Sequence, residues 1–187
     1  LIESRLKRGS FAPEYQAQML TGLGQVYARA GNHAKAIDAL KRALGPAMAA
    51  GDRRTMAATY EELGRVYAQT ADFAKALTEL REGLDMFTLG EGPRAELDFP
   101  VWRYLLRMCD YSRHAERLSD ARKWCEHALF HAERSSDRLG LLRCHAHMAW
   151  VLRDLNQLAL AEQHLARALD EARHFGDRLT TAQLLIE

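Results

Sequence analysis

The chain is 187 residues long, 48% apolar and 27% charged, a composition that fits a folded globular protein and excludes a disordered one. A net charge of +1 excludes a generic nucleic-acid binder, and no apolar run reaches the roughly 18 residues of a membrane span. No signal-peptide pattern is visible. The three cysteines, Cys109, Cys125 and Cys144, are odd in number and lack CxxC spacing, which argues against a disulfide scaffold and for a reducing, cytoplasmic compartment.

In chain order, residues Leu1 to Lys7 read as the tail of one helical unit, and the first full unit covers residues 13–50. Its first helix carries Leu23-Gly24-x-x-Tyr27, its second Ala36-x-x-x-Leu40-x-x-Ala43, with a break at Gly31-Asn32. Both stripes have the 3.6-residue period of an amphipathic helix, so the unit is an α-hairpin. Gly24 and Ala36 are small enough to let the two backbones approach; Leu20, Leu23 and Tyr27 supply volume. Gly45-Pro46 should end or kink the second helix.

The pattern returns about 40 residues later, in residues 52–89, as Leu63-Gly64-x-x-Tyr67 and Ala76-x-x-x-Leu80-x-x-Gly83, with a break at Ala71-Asp72. A third unit, residues 98–135, keeps Ala121-x-x-x-Cys125-x-x-Ala128 and is expected to break at Leu118-Ser119. It is set off by a Gly/Pro loop, Leu89-Gly90-Glu91-Gly92-Pro93-Arg94-Ala95, with Pro100 in the first turn of the following helix. A fourth, residues 137–175, carries Ala161-x-x-x-Leu165-x-x-Ala168 and a break at Asn156-Gln157, and residues 177–187 open a fifth. Asn32, Asp72 and Ser119 are the expected N-caps of the second helices. Gly51-Asp52-Arg53, Ser136-Asp137-Arg138 and Gly176-Asp177-Arg178 punctuate the junctions, each Asp capping the helix that follows. The chain begins and ends in helical pattern and is expected to be a piece of a longer protein.

Leu-Gly-x-x-Tyr, a turn, then Ala-x-x-x-Leu-x-x-Ala resembles the tetratricopeptide repeat. The likeness is strong in the first two copies. It is weaker where Cys109 and Ala149 hold the Gly place and Ser112 and Leu152 the Tyr place. The usual repeat is about 34 residues, so each helix here should be about a turn longer. That longer form is similar to arrays in bacterial multidomain regulators (nucleotide-switch transcription activators, serine/threonine kinases, diguanylate cyclases) and in eukaryotic spindle-orientation adaptors. The resemblance implies an all-α, right-handed α-α superhelix: one solenoid over residues 1–187, of about four helical hairpins plus partial terminal helices.

It also implies a concave groove lined by the first helix of each pair. By position the lining is Gln18, Thr21, Gln25 and Arg29; Glu61, Glu62, Arg65 and Gln69; Arg103, Leu106, Arg107, Asp110 and Arg113; and Arg143, His147, Trp150, Arg153 and Asp154. The first half is neutral to acidic. The second is Arg-rich with an aromatic anchor, suited to an acidic peptide or helix. The family's chaperone-tail clamp needs Lys and Asn where Thr21, Gln25 and Glu62 stand, so that ligand is not supported.

No catalytic constellation emerges: G-x-S-x-G, H-E-x-x-H and the GKS/GKT phosphate loop are all missing. Cys125, His127, His131, Cys144, His145 and His147 invite a metal reading, but their side chains diverge and Cys125 fills a core slot. Trp124 is expected on or near the convex side. The expectation is a non-enzymatic protein–protein interaction module, without cofactor or metal, whose partner is another protein or peptide rather than nucleic acid or membrane. The alternatives are self-association through terminal helices and a sensor region controlling an attached kinase, cyclase or transcription-activator domain.

Overall fold

The computed structural model describes residues 11–88 and 101–175. The chain divides into two compact units, residues 1–92 and 93–187. The described residues form helices and turns only, four helices to each unit. The expected terminal half-helices, the Gly90–Pro93 loop and the Gly176-Asp177-Arg178 junction lie outside the described residues.

Unit 1 consists of α1 (Pro13–Arg29), α2 (His33–Ala49), α3 (Arg53–Gln69) and α4 (Phe73–Thr88). Helix α1 starts with Pro13 at a position whose N–H would go unused. The side chains of Asn32 and Asp52 accept from the backbone N–H groups of Lys35 and Thr55, at 3.2 and 2.9 Å, and so cap α2 and α3. Asp72 does the same for Lys75 at 3.1 Å. Between α1 and α2 the chain turns through Gly31 at φ +74°, and Asn32 N–H reaches back to the Tyr27 carbonyl at 2.9 Å. This left-handed exit recurs at Ala71, where only the geometry, not the glycine, is kept.

One of the two outcomes expected at Gly45-Pro46, an end to the helix, does not occur. Helix α2 neither ends at Gly45-Pro46 nor stops short of it, but runs on to Ala49 with Pro46 inside. Pro46 removes only its own N–H. Its carbonyl still accepts from Ala50 at 3.0 Å, and Asp52 N–H reaches the Ala47 carbonyl at 3.0 Å, so the last turn stays closed.

The small residues act as expected. A Cβ at Gly24 would stand 2.5 Å from Leu40 Cγ, and one at Gly64 would stand 3.1 Å from both the Ala76 carbonyl oxygen and Leu80 Cγ. Leu40, Leu63 and Leu80 are fully buried. The layer between α1 and α3 is partly polar: the buried hydroxyls of Thr21 and Thr59 meet at 2.9 Å, where one donates to the other, and each also lies within hydrogen-bond distance of a carbonyl one turn back in its own helix. Thr21 is therefore a core residue and not the groove residue expected of it.

Unit 2 consists of α5 (Val101–His114), α6 (Leu118–Arg134), α7 (Arg138–Asp154) and α8 (Leu158–Phe175). Its left-handed turn residues are Glu116, Ser136 and Asn156. Glu116 puts the third hairpin's break two residues before the expected Leu118-Ser119. Arg117, which has no acceptor, holds the N-cap position, and Ser119 lies inside α6. Asp137 caps α7 through Gly140 N–H at 2.9 Å, as the junction pattern requires.

The cysteines overturn another expectation. Cys109 of α5 and Cys125 of α6 form a disulfide, with Cα atoms 5.3 Å apart. Both are fully buried. The composition argument failed because it ignored register. Cys109 stands where Gly24 and Gly64 stand, and Cys125 where Leu40 and Leu80 stand, and in unit 1 those two places are in direct contact. The reducing compartment inferred from unpaired thiols loses its basis. Cys144 is free and buried, and burial pushes its thiol up to about 12, so it is an inert core residue.

Candidate peptide-binding pocket

Helices α5 and α7 of unit 2 flank a pocket of about 300 Å³. Its shape depends on one aromatic side chain and one glycine. Trp102 is 4% exposed and lies against α7 at Gly140, where a Cβ would come within 2.9 Å of Trp102 Cε2. The indole N–H donates to Asp137 Oδ2 at 3.0 Å, so the carboxylate that caps α7 also fixes the tryptophan of α5. Neither Trp102 nor Gly140 was singled out by the sequence. The signal was present: Gly140 is a lone glycine inside a helical pattern, which indicates close approach by a neighbour.

Trp102, Leu106 and Tyr111 give the pocket its apolar wall, and Arg103, Arg107, Asp110, Arg143 and His147 its polar one. Arg103, Arg107 and Asp110 fall on one face of α5, as spacings of four and three require; Arg143 and His147 do so on α7. Six of the expected groove residues, Leu106 included, thus meet in one place.

The charges are unevenly committed. Asp110 is shared among Arg113 and His114 at 3.6 Å and His147 at 3.9 Å. Arg113 also reaches across to Asp154 of α7 at 3.1 Å. Among the described residues, no salt bridge engages Arg103 or Arg143, and both are exposed. Burial pulls the His147 imidazole down to about 4; Asp110 opposes this and Arg113, Arg143 and His114 reinforce it. His147 is therefore neutral at physiological pH, and its buried Nδ1 has no hydrogen-bond partner.

The structure separates Trp150 and Arg153 from this group. The Trp150 ring is packed by His147, centroids 4.6 Å apart, and by the Arg113 guanidinium at 5.9 Å. Trp150 and Arg153 instead line a second cavity of about 220 Å³ between α7 and α8, with Leu158, Ala161 and Leu165 among its walls. Arg153 lies against Asp154 at 3.4 Å.

In unit 1 the expected residues largely satisfy one another. Gln25 of α1 donates to Glu62 of α3 at 3.2 Å, and Arg65 pairs with the other oxygen of Glu62. Glu61 is half-buried, while Arg29 and Gln69 are exposed.

The histidines and cysteines considered as metal ligands go elsewhere. His127 meets the edge of Trp124, His131 that of Phe130, and Cys125 is in the disulfide. Nδ1 of His145 lies 3.0 Å from Nδ1 of His164 on α8, a pairing the sequence reading missed because the partner is on the next helix. Burial, followed by the neighbouring His164 and Arg167, lowers His145 to about 4; burial, Arg167 and Arg122 lower His164. Among the described residues no group of three or more such ligands converges.

Residues 15–88 match the family model described as tetratricopeptide repeat. No curated protein shows significant sequence similarity to the chain. Solved structures resemble it closely in fold. BtubC (BKLC) from P. vanneervenii has a TM-score of 0.80 at 18% identity, over 94% of this chain and 72% of that one. The STAND protein PH0952 from Pyrococcus horikoshii, described as having a tetratricopeptide repeat sensor, has a TM-score of 0.81 at 15% identity, over 96% of this chain and 28% of that one. A Rap protein complexed with Competence and Sporulation Factor has a TM-score of 0.77 at 13% identity, over 97% of this chain and 49% of that one. The chain thus spans under a third of the second and about half of the third.

Proposed function

We propose that this chain, whose residues 15–88 match the tetratricopeptide repeat model, is a protein-interaction module that holds an acidic peptide or helix in the α5/α7 pocket of unit 2. The observation that carries this reading is the pair Arg103 and Arg143, on two helices facing one concavity and engaged by no salt bridge among the described residues. Charge-assisted bonds from guanidinium to carboxylate are geometrically specific, and the Trp102 and Leu106 wall gives the ligand's carbon atoms an apolar surface. The solved neighbours support the class: one is described as a sensor region and another is complexed with a factor.

The test is a binding titration with fluorescent peptides rich in Asp and Glu, beside neutral and Lys-rich controls. Acidic peptides should bind preferentially and more weakly as salt rises. Arg103→Glu with Arg143→Glu should abolish binding while helicity by circular dichroism is unchanged. A single exposed arginine contributes about 1 kcal/mol, so Arg143→Gln alone should weaken binding roughly five-fold. Equal binding by wild type and double variant would remove the pocket from consideration.

Self-association is the second reading. It draws on Leu158 and Leu160, which are 56% and 42% exposed on α8, beside the cavity holding Trp150.

A further inference from the structure

The α5/α7 pocket holds more positive charge than one carboxylate needs. Two guanidiniums of its lining, Arg103 and Arg143, are engaged by no salt bridge among the described residues, and the one carboxylate in the lining is that of Asp110. Asp110 is already shared with Arg113, His114 and His147. His147 is neutral and adds no charge. Arg103 and Arg143 thus give the lining an excess of two positive charges. One Asp or Glu side chain would cancel half of it.

We propose that the group this pocket takes is a dianion, the phosphorylated side chain of a peptide, gripped by Arg103 and Arg143. This rests on the acidic-ligand reading and narrows it. A phosphomonoester carries about −1.5 to −2 charges near neutral pH and three strong acceptor oxygens. Arginines arriving from two helices can address different oxygens of one phosphate, whereas a planar carboxylate offers only two. Dimensions agree: about 300 Å³ lies at the small end of the range for ligand pockets, and Leu106 and Tyr111 would pack against the carbon stem. The pocket also holds an unsatisfied polar atom, since Nδ1 of His147 is buried without a hydrogen-bond partner. An anion beside the ring would favour the protonated imidazole, whose Nδ1 lies 3.9 Å from the Asp110 carboxylate.

The experiment uses the full chain and fluorescent peptide pools with degenerate flanks. The fixed central residue is phosphoserine, phosphothreonine, phosphotyrosine, glutamate or serine, at physiological salt and pH 7.5. At least one phosphorylated pool should bind about ten-fold tighter than the glutamate pool. Arg103→Gln or Arg143→Gln, with unchanged helicity, should erase that ratio, and Arg81→Gln on α4 of unit 1 should leave it intact. Phosphorylated and glutamate pools binding equally would overturn the dianion while leaving the acidic-ligand reading in place. No pool binding better than serine would overturn both. A single-stranded oligonucleotide that outcompetes every phosphopeptide would also overturn the proposal and point to a nucleic-acid ligand.

Discussion

At the scale of single residues, two glycines of α1 illustrate how local context decides a substitution. Gly22 has nothing within 4 Å of a built Cβ, whereas Gly24 would press its Cβ to 2.5 Å from the Leu40 branch point. Gly22→Ala should stabilise unit 1 by about 0.5–1 kcal/mol through helix propensity, and Gly24→Ala should destabilise it by about 1–2 kcal/mol despite the same propensity gain. Paired thermal melts would check both signs. The histidines set a pH dependence. His145, His147 and His164 are all held below their ordinary value when folded, His145 and His147 to about 4. The unfolded chain then binds more protons than the folded one between about pH 4 and the ordinary histidine value near 6.5. Their contribution is fully present above that upper value and is lost as pH falls through the window. The melting temperature should fall as pH is lowered from 7 to 4.5, and His145→Gln should flatten that fall. A pH-independent melting temperature would show that these rings are not buried as described.

At the scale of helices, the hairpin α5–α6 differs from its counterparts by a covalent link. The two sulfurs are 16 residues apart in sequence, and closing a loop of that size stabilises by about 3 kcal/mol in the chain-entropy account. Thiol titration in denaturant without reductant should find one reactive cysteine, Cys144, and all three after reduction. Cys109→Ser with Cys125→Ser should lower stability by about 2–4 kcal/mol. Much of this architecture was legible in the sequence. Two apolar stripes and a small residue at each close approach were enough to place the hairpins, and Asp52 and Asp137 were recognisable caps. What failed did so for physical reasons. Gly45-Pro46 does not end α2, because the carbonyls of Pro46 and Ala47 still find donors in the last turn. Ser119 was read as a cap because its residue type is right, yet the left-handed Glu116 puts the helix start earlier. A count of cysteines does not reveal the disulfide, whereas their register matches it: Cys109 and Cys125 stand where Gly24 and Leu40 touch in unit 1.

At the scale of the whole chain, the two units share a plan and differ in chemistry. In unit 1 the groove positions neutralise one another: Gln25 and Arg65 both spend their donors on Glu62. In unit 2 the equivalent helices leave Arg103 and Arg143 without a carboxylate partner among the described residues, around a concavity built by Trp102 and Gly140. Position within the repeat groups the residues expected in the groove, and six of them line that concavity. It did not forecast that Trp150 would be covered by His147 and Arg113, since that depends on contacts between helices rather than on periodicity along one.

The exchange of a small and a large residue for two cysteines also has a mechanical meaning. The same space between paired helices is filled by Gly64 with Leu80 or by Cys109 with Cys125. The repeat therefore accepts a fastener at one layer without altering its backbone plan. Under tension applied to the ends of the chain, α1–α2 and α3–α4 can be drawn out to full length. The residues between the two sulfurs cannot, so that stretch remains a short, inextensible loop carrying load across the bond.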